Sequence, residues 1–269
     1  MSDLFDLSGR VIVVTGGLGQ LGRQFTDALL ARGTKVAVVE APSAVEKAKQ
    51  GAWKETQNIV LVPADVTRRD HLERALLQIE QAWETPHGLI NNAALDSPPD
   101  ASAEENGAFE TYPESSFDRV MDVNTKGVFL CCQVFGGAMA QAGRGSIVNV
   151  ASIYGILSPD QSLYEYRRGG GQTFFKPVAY SVSKSALLNL TRYLATYWGA
   201  KGVRVNTVTF AGVFNNQDPR FLEKYHQKVP LGRMANEDEY NGVVIFLMSD
   251  ASSYATGANF VVDGGFSAW

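Results

Sequence analysis

Tyr180 and Lys184 stand four residues apart in a stretch, 178–198, whose apolar spacing predicts a helix. At that spacing two side chains sit one above the other on a single helical face. A free phenol titrates at about pH 10, too high to exchange protons at neutral pH. A neighbouring ammonium favours the phenolate and lowers that value, so the pair can act as proton donor and acceptor. The pattern alone is weak. With 10 tyrosines in the chain, chance supplies such a pair in about half of comparable sequences, at a lysine usage of roughly one in twenty. Tyr197 and Lys201 form a second one. Taken by itself, either reads as a plain helix-surface pair, and the company each keeps must separate them.

The elements that could position this chemistry alternate along the chain. Residues 10–15 form a short β-branched run, apolar as in a strand covered on both faces. A glycine-rich turn, 16–22, and a helical segment, 23–32, follow. A strand, a glycine turn and a helix in succession imply phosphate binding, because a helix N-terminus offers free N–H groups and a positive dipole end. Residues 35–40 read as the second strand and end on Glu40, 18 residues past Gly22. A carboxylate there accepts hydrogen bonds from a ribose 2′-hydroxyl and repels a 2′-phosphate. Ala41 and Pro42 follow, with no arginine to neutralise such a phosphate, so NAD is expected rather than NADP.

Further strands are expected at 58–63, 88–91, 145–152, 203–209 and 259–263. Helices are expected from a Thr67 cap to residue 83, over 114–140, over 178–202, around 220–228, and from an Asn236 cap over 237–248. Residues 95–112 and 158–177 read as loops. Alternation of this kind implies one α/β domain: a doubly wound, mostly parallel, seven-stranded sheet with helices on both faces.

The bulk properties exclude several function classes. Net charge is −4 with no long basic run, which argues against nucleic acid as a partner. The N-terminus lacks a cationic start followed by an apolar stretch, and no run approaches the roughly 20 apolar residues of a membrane span. The only cysteines, Cys131 and Cys132, are adjacent. They suggest buried helix thiols and a cytoplasmic location, not a disulfide framework or a metal site.

Several motifs now coincide in order: Thr15-Gly-Gly-Leu-Gly-Gln-Leu-Gly22, Asp65-Val66, Asn91-Asn-Ala-Ala94, Asn124, Ser152, Tyr180 with Lys184, Arg204-Val-Asn206 and Val262-Asp-Gly-Gly265. With them the chain resembles the short-chain dehydrogenase/reductase family over essentially its whole length, and the fold implied is Rossmann-type. In that family the catalytic tyrosine lies early in the helix after the fifth strand, which selects Tyr180 and leaves Tyr197 as surface. The resemblance implies that Tyr180 is the acid in carbonyl reduction and the base in alcohol oxidation. Ser152 would hold the reacting oxygen, Lys184 would bind the nicotinamide ribose and lower the Tyr180 pKa, and Asn124 would hold a water linking Lys184 to solvent. Gly16, Gln20, Leu21 and Gly22 would line the pyrophosphate and Glu40 the adenosine ribose. Asp65 and Val66 would flank the adenine, Asn92 and Ala93 would pass close to the ribose, and Gly212 and Val213 would meet the carboxamide. Family members are commonly homodimers or homotetramers through the Asn124 and Tyr180 helices.

Three departures stand out. Gln20 occupies a usual glycine position, and Phe210-Ala211 replaces a usual Pro-Gly. Ser152 and Tyr180 are 28 residues apart, about twice the family's common gap. The extra piece, 158–177, joins two catalytic residues and must border the substrate cleft. It carries Tyr164, Tyr166, Arg167 and Arg168; aromatic faces suit sugar rings and arginine suits a carboxylate or phosphate. Residues 210–230 are expected to close over substrate as a lid, and the insertion together with Gly212-Val-Phe-Asn-Asn-Gln-Asp-Pro219 resembles a branch found in bacterial surface-sugar pathways, including sialic-acid-like sugars. The expectation is therefore an enzyme that interconverts a secondary alcohol and a ketone on a small sugar-like substrate. Two alternatives stay open: a 3-oxoacyl-carrier-protein-type reductase using NADPH, and a non-catalytic cofactor-binding module.

Overall fold

The short β-branched runs pair into one sheet, and the glycines between them let the chain turn back. In chain order the elements are β1 (Val11–Thr15), α1 (Gln20–Leu30), β2 (Lys35–Glu40), α2 (Pro42–Lys49), β3 (Ile59–Pro63), α3 (Arg69–Ala82) and β4 (Gly88–Asn91). Then come α4 (Glu114–Met121), α5 (Val128–Cys131), α6 (Gly137–Gln141), β5 (Gly145–Ser152), a short α7 (Glu165–Arg168) and α8 (Val178–Trp198). The chain finishes with β6 (Val203–Phe210), α9 (Pro219–Lys228), α10 (Asn241–Met248) and β7 (Asn259–Val262). The structure, a computed structural model, describes residues 3–51, 56–96, 105–168 and 174–269. Residues 97–104 of the 95–112 segment and 169–173 of the insertion lie outside it.

The strand order is β3-β2-β1-β4-β5-β6-β7, and every pairing is parallel. The inner strands are buried on both faces because both are covered, while the edge strand β7 stays partly exposed. Val11 and Val13 of β1 pack with Leu72 and Ile79 of α3, Phe135, and Leu187 of α8. Ile12 and Val14 point the other way, into Phe25 and Leu29 of α1 and Leu247 of α10. A third, smaller cluster sits beyond β5, where Ile153, Tyr154, Leu163, Phe221 and Tyr225 pack with Tyr164, Tyr166 and Tyr180. The order reverses between β1 and β4, so a crevice opens beyond the carboxyl ends of those two strands.

Three expected boundaries move, each for a local reason. Thr67 does not cap α3: its hydroxyl donates to Asp65 Oδ1 at 2.8 Å, closing a turn, and the helix begins at Arg69. Asn236 does not cap α10. Its N–H donates to Glu239 Oε2, and Arg233 holds that carboxylate at 2.6 Å, so 236–240 turns before the helix begins. The insertion is not all loop: Gln161–Tyr164 is a 3₁₀ turn running into α7. Residues 114–141 do form the expected helical run, widened to π geometry at Asp122–Gly127 and Cys132–Gly136. Cys131 and Cys132 are buried as expected, and burial pushes Cys132 up to about 12. Among the described residues no helix is long and apolar enough to cross a membrane.

Gly22 is where the glycine turn tolerates no side chain. A Cβ there would lie 2.1 Å from the Gly16 carbonyl oxygen and 2.7 Å from Gly17 Cα, both backbone. At Gly19 a Cβ would meet only the Gly16 oxygen, at 3.4 Å. Gly22→Ala is expected to lose about 2 kcal/mol or more in urea unfolding, as overpacking against a rigid backbone does. Gly19→Ala, a change at the N-cap, should cost about 1 kcal/mol or less. Equal losses would show that the turn yields as a whole.

Candidate active site

The crevice is tied together by short polar contacts at the strand ends. Thr15 Oγ1, at the end of β1, accepts the N–H of Asn92 at 3.0 Å and of Ala93 at 3.1 Å. Asn92 Nδ2 donates back to the carbonyls of Thr15 and Gly16, both at 3.1 Å. The turn after β4 is thereby pinned to the glycine turn, and Ala93 Cα lies 2.8 Å from where a Gly16 Cβ would be. Leu95, three residues on from Asn92, exchanges hydrogen bonds with the Asn124 amide at 2.7 and 2.9 Å. Asn124 Nδ2 also donates to Ser183 Oγ of α8 at 3.0 Å. Asn124 is fully buried inside the first π segment. One contact path therefore runs from the glycine turn to the helix carrying Tyr180. Its amide is spent on structure, so a water-holding role would fall to its backbone carbonyl.

A second buried strut holds α8 against the sheet. Asn91 Nδ2 donates to Asn149 Oδ1, Asn149 Nδ2 to Thr191 Oγ1, and Thr207 Oγ1 to the same threonine oxygen, all within 2.7–2.8 Å. Sequence reasoning had Thr15 and Asn91 within its motifs without a role for either, and missed Asn149, Thr191 and Thr207. Their only signal is a hydroxyl or amide inside an otherwise apolar strand or helix face, where a polar group needs a partner.

The residues present fit a dinucleotide. Helix α1 starts at Gln20 with no side-chain cap and no acidic residue in its first turn, so its N-terminal N–H groups are free for an anion. The Gly16 and Gly22 positions are filled by neighbouring backbone, which keeps this cradle narrow. Gln20 does not block it: its side chain leans away to the Phe214 carbonyl at 3.1 Å. Leu21 packs partly buried beside α10. Glu40 ends β2 facing the turn, its carboxylate accepting Leu18 N–H at 3.3 Å and Ala41 N–H at 3.0 Å. Asp65 and Val66 follow β3. The Asp65 carboxylate is engaged with Thr67, and Val66 lies against Gly127. The expected carboxamide contacts are less open. Gly212 N–H already donates to the Tyr225 hydroxyl at 2.7 Å, and Val213 bridges to Ala235.

At the far end of β5, Ser152 is buried and Tyr180 partly buried, with a hydrogen bond between their side chains. Ser152 Oγ also accepts Tyr154 N–H at 3.2 Å. Lys184 is 4% exposed and donates to the Val150 carbonyl at 2.8 Å, with its Nζ 5.8 Å from the Tyr180 ring centre. The expected lowering of the phenol is reversed in this arrangement. Burial pushes Tyr180 up, the Asp96 carboxylate adds to that, and Ser152 opposes it. Burial likewise brings Lys184 down to about 8. Enclosure thus works against the charged form of both groups, and Lys184 can lower Tyr180 only while it is itself an ammonium.

The insertion's aromatic and basic residues are occupied. Tyr164 packs against Phe174 and Phe221, and its hydroxyl lies 3.5 Å from that of Tyr154. The Arg220 guanidinium covers Tyr166. Arg167 lies 4.0 Å over Phe174. Arg168 donates to the carbonyls of Phe174 and Gln161 at 3.0 and 3.2 Å. The arginines, expected to meet a substrate anion, stitch the insertion to itself. Tyr197 is exposed, with Lys201 Nζ 5.5 Å over its ring. A cavity of about 700 Å³ borders Tyr154, Leu157, Gln161, Lys176 and Ser181. It reaches neither Ser152 nor Lys184 nor the glycine turn.

Residues 19–267 match a family model described as enoyl-(acyl carrier protein) reductase. A 2-(S)-hydroxypropyl-CoM dehydrogenase of Xanthobacter autotrophicus is 31% identical, covering 97% of this chain and 98% of its own. A galactitol 2-dehydrogenase of Rhizobium johnstonii is also 31% identical, with 98% of both covered. Among solved structures, a short chain dehydrogenase from Leptospira borgpetersenii with bound NAD+ superposes with a TM-score of 0.84 at 30% identity, over 99% of this chain and 96% of that one.

A drop in Lys184 from 10.5 to about 8 is on the order of 3 kcal/mol against the folded state wherever the lysine is protonated. Between those two values the unfolded chain binds more protons, so stability rises with pH through that window and the full penalty stands below about pH 8. Lys184→Met is therefore expected to unfold at higher urea concentration than wild type at neutral pH. The margin is trimmed by about 1 kcal/mol for the lost Val150 hydrogen bond, and it should shrink as pH rises towards 10. A methionine variant weaker than wild type at neutral pH would show that the hydrogen bond outweighs the burial.

Proposed function

The chain belongs to the short-chain dehydrogenase/reductase family, an oxidoreductase family acting on CH–OH groups, and from that premise we propose that it is NAD(H)-dependent and interconverts a secondary alcohol and a ketone on a sugar or sugar derivative. The observation that carries this reading is the Ser152–Tyr180 hydrogen bond beside Lys184, joined through Asn124, Leu95 and Asn92 to a glycine turn that fits a pyrophosphate. In alcohol oxidation Tyr180 Oη takes the substrate hydroxyl proton while Ser152 holds the same oxygen. In ketone reduction Tyr180 returns it. Lys184 supplies positive charge next to the phenol as it ionises. A nicotinamide cofactor held by the glycine turn and Glu40 would supply the hydride chemistry.

Glu40 supports NAD: a carboxylate at the end of β2, turned towards the glycine turn, would accept a ribose 2′-hydroxyl and repel a 2′-phosphate. The galactitol 2-dehydrogenase relative supports a polyol or sugar substrate. Helix α9 and the segment before it would close over that substrate and exclude water. A homodimer or homotetramer through α5 and α8 would cover Phe129 and Val182, which are exposed. The description of the matching family model favours one second reading, reduction of an acyl group on its carrier protein. Such a role commonly uses NADPH and a basic docking patch, against which Glu40 and the net charge of −4 both weigh.

Purified enzyme given NAD+ and a panel of polyols, sugars and simple secondary alcohols is expected to produce NADH with a polyol or sugar. Tyr180→Phe should lower that turnover by about a hundredfold or more while NADH still binds. Unchanged turnover in Tyr180→Phe would remove the mechanism. NADPH binding tighter than NADH would overturn the cofactor choice.

A further inference from the structure

The insertion delivers a second lysine to the catalytic tyrosine. Lys176 Nζ lies 5.0 Å from the Tyr180 ring centre, closer than Lys184 at 5.8 Å. Its side chain is only 9% exposed, and its ammonium is paired with the Asp96 carboxylate, which follows the pinned turn after β4. The backbone that presents it is clamped. The Gln161 side-chain amide accepts Lys176 N–H at 2.9 Å and donates to the Lys176 carbonyl at 3.3 Å. Arg168 ties Gln161 to Phe174, on the returning limb, through their carbonyls. Pro177 then fixes the entry into α8 one turn before Tyr180. A lysine so held over a phenol that must ionise is placed to act on that ionisation.

We propose that Lys176 and Asp96 form a charge pair that sets how readily Tyr180 gives up its proton, which makes Lys176 a positioning residue and the insertion its carrier. The inference rests on Tyr180 being the acid–base group. An ammonium over an aromatic face is attracted to the neutral ring and more strongly to a phenolate. The carboxylate acts in the opposite sense, and it also favours the charged form of Lys184. Among the described residues, the other groups acting on Tyr180 are Lys184 on its own helix, the Ser152 hydroxyl and the Tyr154 phenol, with Tyr164 and Tyr225 in the same aromatic cluster. Among the described residues with a direct electrostatic or ring contact to Tyr180, Lys176, Lys184 and Asp96 carry a formal charge. Asp96 is more than half exposed, so a substrate or loop movement that draws it off Lys176 would leave the ammonium to act on the phenol alone.

The test follows Tyr180 directly. Enzyme carrying ¹³Cζ-labelled tyrosine, saturated with whichever of NAD+ and NADP+ binds tighter, is titrated by NMR, with Tyr180→Phe to assign the signal. Lys176→Met should raise the Tyr180 pKa by about one unit and Asp96→Asn should lower it by a similar amount. Lys176→Arg should stay close to wild type, and the double variant should return towards it. The pH profile of kcat/KM with any alcohol that is turned over should move with the titration. Opposite shifts are the signature, because loosening the insertion would move both variants the same way. Shifts of one sign, or none, overturn the pair while leaving alcohol oxidation by Tyr180 intact. Opposite shifts in an enzyme that turns over no alcohol would support the pair and sink the proposed substrate class instead. Asp96→Asn and Lys176→Arg keep the test decisive if Lys176→Met does not fold.

Discussion

Enclosure at the end of β5 is the constraint on which the site depends. It removes water from a phenol and an ammonium that stand one helical turn apart, and it acts against the charged form of each. The neutral phenol is the cheap state, so it must be made to ionise by something added: a hydrogen bond, an oriented charge, a bound cation; the lysine keeps its charge at neutral pH, at a cost. That is why so much of the surrounding structure is polar groups aimed inward. Ser152 donates to the phenol, Val150 accepts from the lysine, and Asp96 stands behind both. An enclosed site also makes each of these contacts stronger than it would be in water.

The fold meets the demand for rigidity with struts placed at strand ends. Thr15 and Asn92 lock two loops across the reversal in strand order. The chain of Asn91, Asn149, Thr191 and Thr207 crosses β4, β5, α8 and β6 inside the core. Each buried amide or hydroxyl there would be costly unpaired, and pairing them leaves α8 few ways to shift against the sheet. Tyr180 and Lys184 inherit that rigidity. The π segment around Asn124 belongs to the same logic: a helix widened by one residue brings a side-chain amide to Leu95 and to Ser183 at once.

Much of this was legible in the sequence. Strand positions follow from β-branched runs covered on both faces, and β2, β4 and β5 begin and end at the expected residues. Tyr180 is separated from Tyr197 by what precedes it: a strand ending in Ser152 in one case and open helix surface in the other. Helix starts were harder. Thr67 and Asn236 have the right chemistry for caps, but Asp65 and Glu239 compete for the same groups more closely. Arg167 and Arg168 looked like anion forks because pairing between limbs of an irregular segment leaves no periodic trace. The same blindness hid Lys176, whose place over Tyr180 depends on a Gln161 clamp fifteen residues away.

The long gap between Ser152 and Tyr180 then takes on a different meaning. A loop lengthened only to touch substrate would keep its arginines and aromatics outward. Here they face inward: Arg167 and Arg168 cover Phe174 and Phe175, and Tyr164 enters the cluster that also holds Tyr154 and Tyr180. Lys224 of α9 reaches the Ser162 carbonyl and Glu165, and Lys228 pairs with Asp160, so the insertion and α9 are joined by charge. A movement of α9 over a substrate would pull on the segment whose other end carries Lys176. The extra residues thus join α9 to the neighbourhood of Tyr180, which, on the proposed function, would couple substrate closure to the proton-transferring ring.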